Sequence, residues 1–278
     1  MSERTTVVVV AWRSRDHIVS CLDALAAQDR PHRTIVLDNA SRDGTAGLVA
    51  AHASRPEVIR LARNAGYAGG LAAALDTVDT PFVAWLNDDA RPEPQWLSEL
   101  EDAIDADPAA GAAAARLMAP GGSVQSVGLR LTAHGYGADV ATPGAEVFGF
   151  CGGAVLLRTR ALRAAGGVPA EFFCYYEDTD TAWRLRLTGW EVRSVPSAAV
   201  LHLHGVSTNP GSARFHHWNE RNRLLMLLRC APAGVAAREL ARFAAITAAL
   251  PVRRLLGRRV PDAANFRGTL RLRVLADV

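Results

Sequence analysis

The sequence predicts an α/β protein built on a central, mainly parallel sheet. Short apolar runs alternate with amphipathic stretches through the first 120 residues, which is the pattern of βαβ units. The first run, residues 7–10, is four consecutive valines, as expected of a strand buried on both faces. Each of the first four runs also ends in a polar cluster. Ligands of parallel α/β sheets bind beyond the carboxyl ends of the strands, so the four clusters predict one site.

In chain order, residues 6–11 predict a strand, and Ile18, Cys21, Leu22 and Leu25 recur at helical spacing over 17–28. A strand at 34–37 and a helix at 45–53 follow, then a strand at 58–61 and a helix at 68–75. The fourth pair is a strand at 82–86 and a helix at 95–104. Gly111 and the four alanines after it read as compositional bias rather than as a functional tract. Residues 120–147 are rich in glycine and alternate loosely, predicting antiparallel strands and loops. Beyond them come a core strand at 148–157, a short helix at 159–165, a helix at 178–187 and strands at 191–195 and 199–203. Everything from Arg214 onward reads as helical and basic. The expected division is a body of residues 1–210, with halves 1–120 and 121–210, and a segment 211–278.

All 31 basic residues of the 278 are arginine. That excludes Schiff-base lysine chemistry and a Walker phosphate loop. The net charge of +3 averages two unlike parts: residues 1–210 carry 18 arginines against 24 acids, net −6, and 211–278 carry 13 against 4, net +9. The longest uncharged stretch of the basic part, 243–252, is ten residues and includes Pro251, against the roughly 20 that span a bilayer. The first apolar run is too short for a signal peptide, and Cys21, Cys151, Cys174 and Cys230 show no paired spacing. A cytoplasmic protein with unpaired thiols is expected.

Three clusters carry chemistry. Asn87-Asp88-Asp89 follows an apolar strand, where adjacent acids repel unless a cation lies near them. One or two carboxylates plus substrate phosphates are how Mg²⁺ or Mn²⁺ is held; the alternative is ordinary stabilisation of the next helix. Glu177, Asp178 and Asp180 open a helix behind the aromatic run 172–176, which suits either capping or a general base. His202 and His204 have strand spacing, so both face one side, as metal or phosphate ligands would.

These segments resemble glycosyltransferases of family 2 with the GT-A (Rossmann-like) fold, in their rhamnosyltransferase-like branch. The resemblance runs in order through VVVVAW (7–12), VLDNASRDGT (36–45), RNAGYAGG (63–70), LNDD (86–89), Gly152-Gly153, Gly166-Gly167, YEDTD (176–180), His202 with His204, and Arg221-Asn222. It implies an inverting transfer of a sugar from a nucleoside diphosphate (dTDP, UDP or GDP) to an acceptor hydroxyl. The acceptor would be a glycan, a lipid-linked precursor or a small aglycone. The resemblance assigns Asp38, Ala11 and Trp12 to the nucleobase pocket, and Arg63, Asn64 and Gly66 to Gly70 to ribose and diphosphate. Asn87 and Asp88 would support the donor, Asp89 with His202 or His204 would hold Mg²⁺ or Mn²⁺, and Arg221 would help with phosphate. Asp178 would be the general base beside Glu177, with Gly152, Gly153, Tyr176 and Asp180 toward the acceptor. Two departures stand out: Asn87 replaces a frequent aspartate, and Val168-Pro169-Ala170 replaces a frequent Phe-Asp-Glu.

A sugar nucleotidyltransferase is the competing enzyme, but residues 12–15 lack the glycine-rich loop it needs. A non-catalytic nucleotide-sugar-binding or scaffolding relative is the competing class, disfavoured by intact Asp89, Asp178 and His202. No groove-reading motif supports nucleic-acid binding by the arginine-rich tail. That tail is instead a candidate for peripheral contact with an anionic membrane or for pairing in a homodimer.

Overall fold

The computed structural model describes residues 3–203 and 211–278. The chain divides into two units, Met1–Leu131 with Gly137–His204, and Thr132–Tyr136 with Gly205–Val278.

In the first unit, β1 (Thr5–Ala11), α1 (Ile18–Ala26), β2 (Arg33–Asp38), α2 (Thr45–Ala51), β3 (Glu57–Arg60), α3 (Gly66–Leu75) and β4 (Phe82–Asn87) follow the predicted alternation. Next come β5 (Ala90–Pro92), α4 (Trp96–Ala106), β6 (Ala110–Met118), β7 (Val124–Ser126), β8 (Leu129–Leu131) and β9 (Gly137–Asp139). The unit closes with β10 (Ala154–Arg158), α5 (Thr159–Ala164), α6 (Glu177–Leu187) and β11 (Glu191–His202).

The main sheet runs β3-β2-β1-β4-β10-β6-β11-β5, with β7 paired to β6. β3, β2, β1, β4, β6 and β11 all point one way, while β10 and β5 run against them. The sheet is mixed and mainly parallel, and the ends of β1, β2, β3, β4 and β11 share one edge with the start of β10. In the core, Val7 and Val9 of β1 and Leu86 of β4 cluster with Trp96, Leu97, Leu100 and Ile104 of α4.

Three expectations are corrected. The alanine run is β6, a central strand between β10 and β11. Small residues are required there because a Cβ on Gly111 would lie 2.7 Å from Trp190 Cβ. The strand expected at 148–157 is confined to Ala154–Arg158, since residues 149–153 form a loop at the site edge. The strands expected at 191–195 and 199–203 are one strand, β11, whose register against β6 shifts between Val195 and Ala199, where Pro196 offers no N–H.

The second unit holds α7 (Ala213–Cys230), α8 (Ala233–Leu255) and α9 (Gly268–Asp277), around Leu224, Phe243 and Val274. The Arg271 guanidinium, 3.7 Å from the centre of the Phe243 ring, donates to Thr247 Oγ1 at 2.9 Å. Arginine stems thus fill space in this small core.

Candidate active site

Asp88 is the knot of the site edge. Its Oδ2 accepts from Trp12 N at 3.3 Å and from Ser14 Oγ, both in the loop after β1. His17 Nε2 lies 3.8 Å from its Oδ1, an ion-pair contact without a hydrogen bond, and the proximity of Asp88 raises the His17 pKa against the cost of burial. The end of β4 is thereby tied to the end of β1. Asn39, after β2, does the same for the turn before α3: Nδ2 donates to Gly66 O at 2.9 Å and Oδ1 accepts from Ala65 N at 2.8 Å. Asn64 Oδ1 caps that turn from Gly66 N at 2.8 Å.

Asp38 is fully buried. Its Oδ1 accepts from Ser41 N at 2.9 Å, while Oδ2 lies 3.2 Å from Arg60 Nε with no aligned hydrogen bond. A buried acceptor in that state can receive an N–H from a base edge. Arg63 is exposed and Trp12 partly so, with the Arg13 guanidinium 5.7 Å from the Trp12 ring. Ala11 is the last residue of β1, paired with Asp38. Two glycines expected to admit ligand are required by the protein's own packing. A Cβ on Gly66, where φ is +77°, would sit 2.1 Å from Phe173 O, and one on Gly70 would sit 2.7 Å from Val10 Cγ1.

The acids of α6 arrive on a strained turn. Phe173, Tyr175 and Tyr176 have φ of +64°, +71° and +69°. Arg13 and Ala40, after β1 and β2, are also left-handed, so five of the six such non-glycine residues described lie at this edge. Strain of this kind persists only where surrounding structure enforces it. Asp178 Oδ1 accepts from Thr179 N at 2.6 Å and Thr179 Oγ1 at 3.0 Å, and Oδ2 accepts from Gly152 N at 3.0 Å. Glu177 Oε2 is buried with no hydrogen-bond partner. Burial lifts both carboxyls. Glu177 rises well above the usual range, helped by the Asp178 charge, whereas the three donors on Asp178 oppose its rise. Three donors favour the charged form of Asp178 and Glu177 Oε2 has none, so of the two Asp178 is the better placed to carry charge.

Gly152 and Gly153 join the two acidic clusters. Tyr67 OH donates to Gly152 O at 2.6 Å, on the same residue whose N–H holds Asp178. Gly153 O accepts from Asn87 N at 3.0 Å, and a Cβ on Gly153 would lie 3.5 Å from Asn87 Nδ2 and 3.6 Å from His202 Nε2.

Gln125 on β7 had no signal in sequence. Its Nε2 donates to the His202 carbonyl at 2.9 Å, so its Oε1 is the atom that faces His202 Nδ1 at 2.9 Å. Nδ1 therefore carries the proton and Nε2 the lone pair. That Nε2 accepts from Asn87 Nδ2 at 3.0 Å and lies 3.3 Å from Asp89 Oδ1. Burial works against the Asp89 charge, but hydrogen bonding from His202, in the form that bears a proton on Nε2, and the nearby His17 outweigh it and lower the pKa; the lone-pair form is the one that would take a cation. A lone pair and a carboxylate oxygen so close suit a bridging cation. Two ligands at right angles on Mg²⁺ lie about 3 Å apart, so this donor set fits one. Among the described residues no three His, Cys, Asp or Glu side chains converge. Asp89 and His202 would leave the rest of the shell to phosphate and water, as Mg²⁺ prefers. His204 lies outside the described residues.

Two assignments change. Asp180, expected toward the acceptor, is fully buried and pairs with Arg184 Nε at 2.6 Å, so it braces α6. Tyr176 is also buried and sits at the N-terminal boundary of α6, its carbonyl accepting from Asp180 N at 2.8 Å. Arg221 is on α7 of the second unit, where Nη1 donates to Asn222 Oδ1 at 2.9 Å. His17 was also missed, and Tyr67 was read only as part of the 66–70 stretch. His17 reads locally as the start of a helix, and Tyr67 as one residue in a small-residue turn.

Residues 6–166 match the family described as Glycosyl transferase family 2. The chain belongs to this family. It is 26% identical over 247 residues to the N-acetylglucosaminyl-diphospho-decaprenol L-rhamnosyltransferase of Mycobacterium tuberculosis, covering 76% of this chain and 80% of the relative. It is 29% identical over 220 residues to a pre-mycofactocin glycosyltransferase of the same organism, covering 77% of this chain and 46% of that one. Among solved structures, S. aureus TarS 1-349 with UDP superposes with a TM-score of 0.61 at 18% identity, covering 85% of this chain and 68% of TarS. The mannosyltransferase PcManGT of Pyrobaculum calidifontis, with GDP-Man and Mn²⁺, gives 0.61 at 18% identity, covering 100% and 86%. These likenesses identify the GT-A fold, and the protein is a glycosyltransferase.

Proposed function

We propose that the protein moves a sugar from a nucleoside diphosphate to an acceptor hydroxyl with inversion, using a divalent cation and Asp178 as general base. The observation that carries this reading is that adjacent glycines, Gly152 and Gly153, hold Asp178 by a backbone N–H and lie beside His202, which is itself 3.3 Å from Asp89. Asp178, held by three donors that favour its charged form, takes the proton from the acceptor hydroxyl. The hydroxyl oxygen forms the new bond at the anomeric carbon as the bond to the diphosphate breaks on the opposite face, its electrons leaving on phosphate oxygen. Asp89 and His202 would hold Mg²⁺ or Mn²⁺, which when bound supplies Lewis-acid stabilisation of that leaving charge. Asp38 receives the nucleobase at its buried Oδ2, and exposed Arg63 is available to phosphate.

The similarity to the decaprenol L-rhamnosyltransferase supports rhamnose as the first sugar to try and a lipid-linked diphosphate as acceptor, with dTDP, UDP and GDP all open as the carrier. The test is a panel of dTDP-, UDP- and GDP-sugars scored for thermal stabilisation and slow donor hydrolysis, with Mn²⁺ and with EDTA. One donor class should stabilise the protein and be hydrolysed only with metal. Equal response to all donors, or none to any, would overturn the proposal.

A further inference from the structure

Residues 251–259, the end of α8 and the turn after it, are exposed without a break. Within them Val252 is 55% exposed, Leu255 88% and Leu256 63%. Spacings of three and four residues place these side chains on one face. Arg253, Arg254, Arg258 and Arg259 flank them in the chain, and no acid lies between Glu239 and Asp262. The tip is a held structure, because Gly257 turns the chain at φ +65° and Arg254 Nη2 donates to Phe266 O at 3.0 Å.

Apolar side chains this exposed, with four arginines among the adjacent residues, match a surface that is anionic outside and apolar just beneath. A nucleic acid would satisfy the arginines but leave three apolar side chains in water, and residues 251–260 contain no aromatic ring on which a base could stack. A second copy presenting the same tip would set like charges against each other. Among the described residues no helix is long and apolar enough to cross a membrane, so the tip would rest at the interface.

We propose that this tip seats on an anionic lipid bilayer. Val252, Leu255 and Leu256 enter the headgroup boundary, and Arg253, Arg258 and Arg259 contact lipid phosphates. The surface deepens the reading of a lipid-linked acceptor, since it would hold the enzyme where such an acceptor lies. Binding itself requires no turnover.

Flotation of the full chain with vesicles tests it, comparing pure phosphatidylcholine with an equal mixture of phosphatidylcholine and phosphatidylglycerol, at low and high salt. The chain should float with the anionic vesicles at low salt and be released by high salt. Leu255→Ser/Leu256→Ser and Arg253→Gln/Arg258→Gln/Arg259→Gln should each weaken vesicle binding about tenfold or more. Their melting temperatures and metal-dependent donor hydrolysis should match the wild type. No flotation of the wild type, or equal flotation of the variants, would overturn the proposal. So would a dimer abolished by the serine pair in a chain that ignores vesicles. Donor hydrolysis without flotation removes the membrane surface alone, and flotation without hydrolysis removes the glycosyl-transfer reading alone.

Discussion

Asp88-Asp89 after β4 and Glu177-Asp178 at the start of α6 are the same pattern in sequence, two adjacent acids near one sheet edge. Their surroundings make them chemically opposite. The first pair is met by His17, His202 and the Ser14 hydroxyl, and the Asp89 pKa is lowered. The second pair is introduced by an aromatic turn, and burial raises both of its pKa values. Imidazole neighbours make a carboxylate that stays charged and can hold a cation. A desolvated pair disfavours charge on both members, and hydrogen-bond donors on one of them mark where the charge is best carried.

Breaking the second pair should have the largest effect. Asp178→Asn should keep the fold and donor affinity yet lose about 10²–10⁴ in turnover, the usual contribution of a general base; wild-type turnover would remove Asp178 from that role. At the first pair, Asp89→Ala should cost donor affinity in Mn²⁺ on the order of 10²-fold, bringing it to the wild-type value in EDTA, as read by calorimetry. Gln125 sharpens the comparison, because its proposed effect on the cation runs through the His202 tautomer. Gln125→Leu should weaken Mn²⁺ binding about tenfold with an unchanged melting temperature. Gln125→Glu, which keeps the acceptor for Nδ1, should restore most of it.

The smallest effect concerns Glu177 and is read in stability against pH. Its folded pKa lies above the unfolded value, so wild-type stability is fully present below the unfolded pKa and declines as pH rises toward the folded one. Glu177→Gln should therefore melt above wild type at neutral pH, with the difference vanishing as pH falls into the ordinary glutamate range. A constant difference across pH would count against a protonated Glu177.

The strands through β4 were legible because valine-rich runs and helical periodicity are local signals. β6 was not, since alanine favours helix and its strand state depends on burial between β10 and β11, under Trp190. The acids and histidines of the site were legible as residue types at strand ends. Their partners were not. Gln125 stands in a weakly alternating stretch and reaches His202 only because β7 pairs with β6 and β6 with β11. Asp180 had the same local credentials as Asp178, and its burial against Arg184, with Gly152 N donating to Asp178, separates them.

By itself, then, the sequence determined the βαβ order of the first half, the positions of the acids and the uneven charge that leaves residues 240–261 without a carboxylate. Periodicity and composition act over a few residues and need no partner to be read. Tertiary structure alone decided which carboxylate has donors to favour its charge, which imidazole nitrogen faces the Gln125 carbonyl oxygen and which glycines serve packing. Those properties depend on desolvation and on hydrogen bonds between residues far apart in the chain, such as Gln125 with His202 and Gly152 with Asp178.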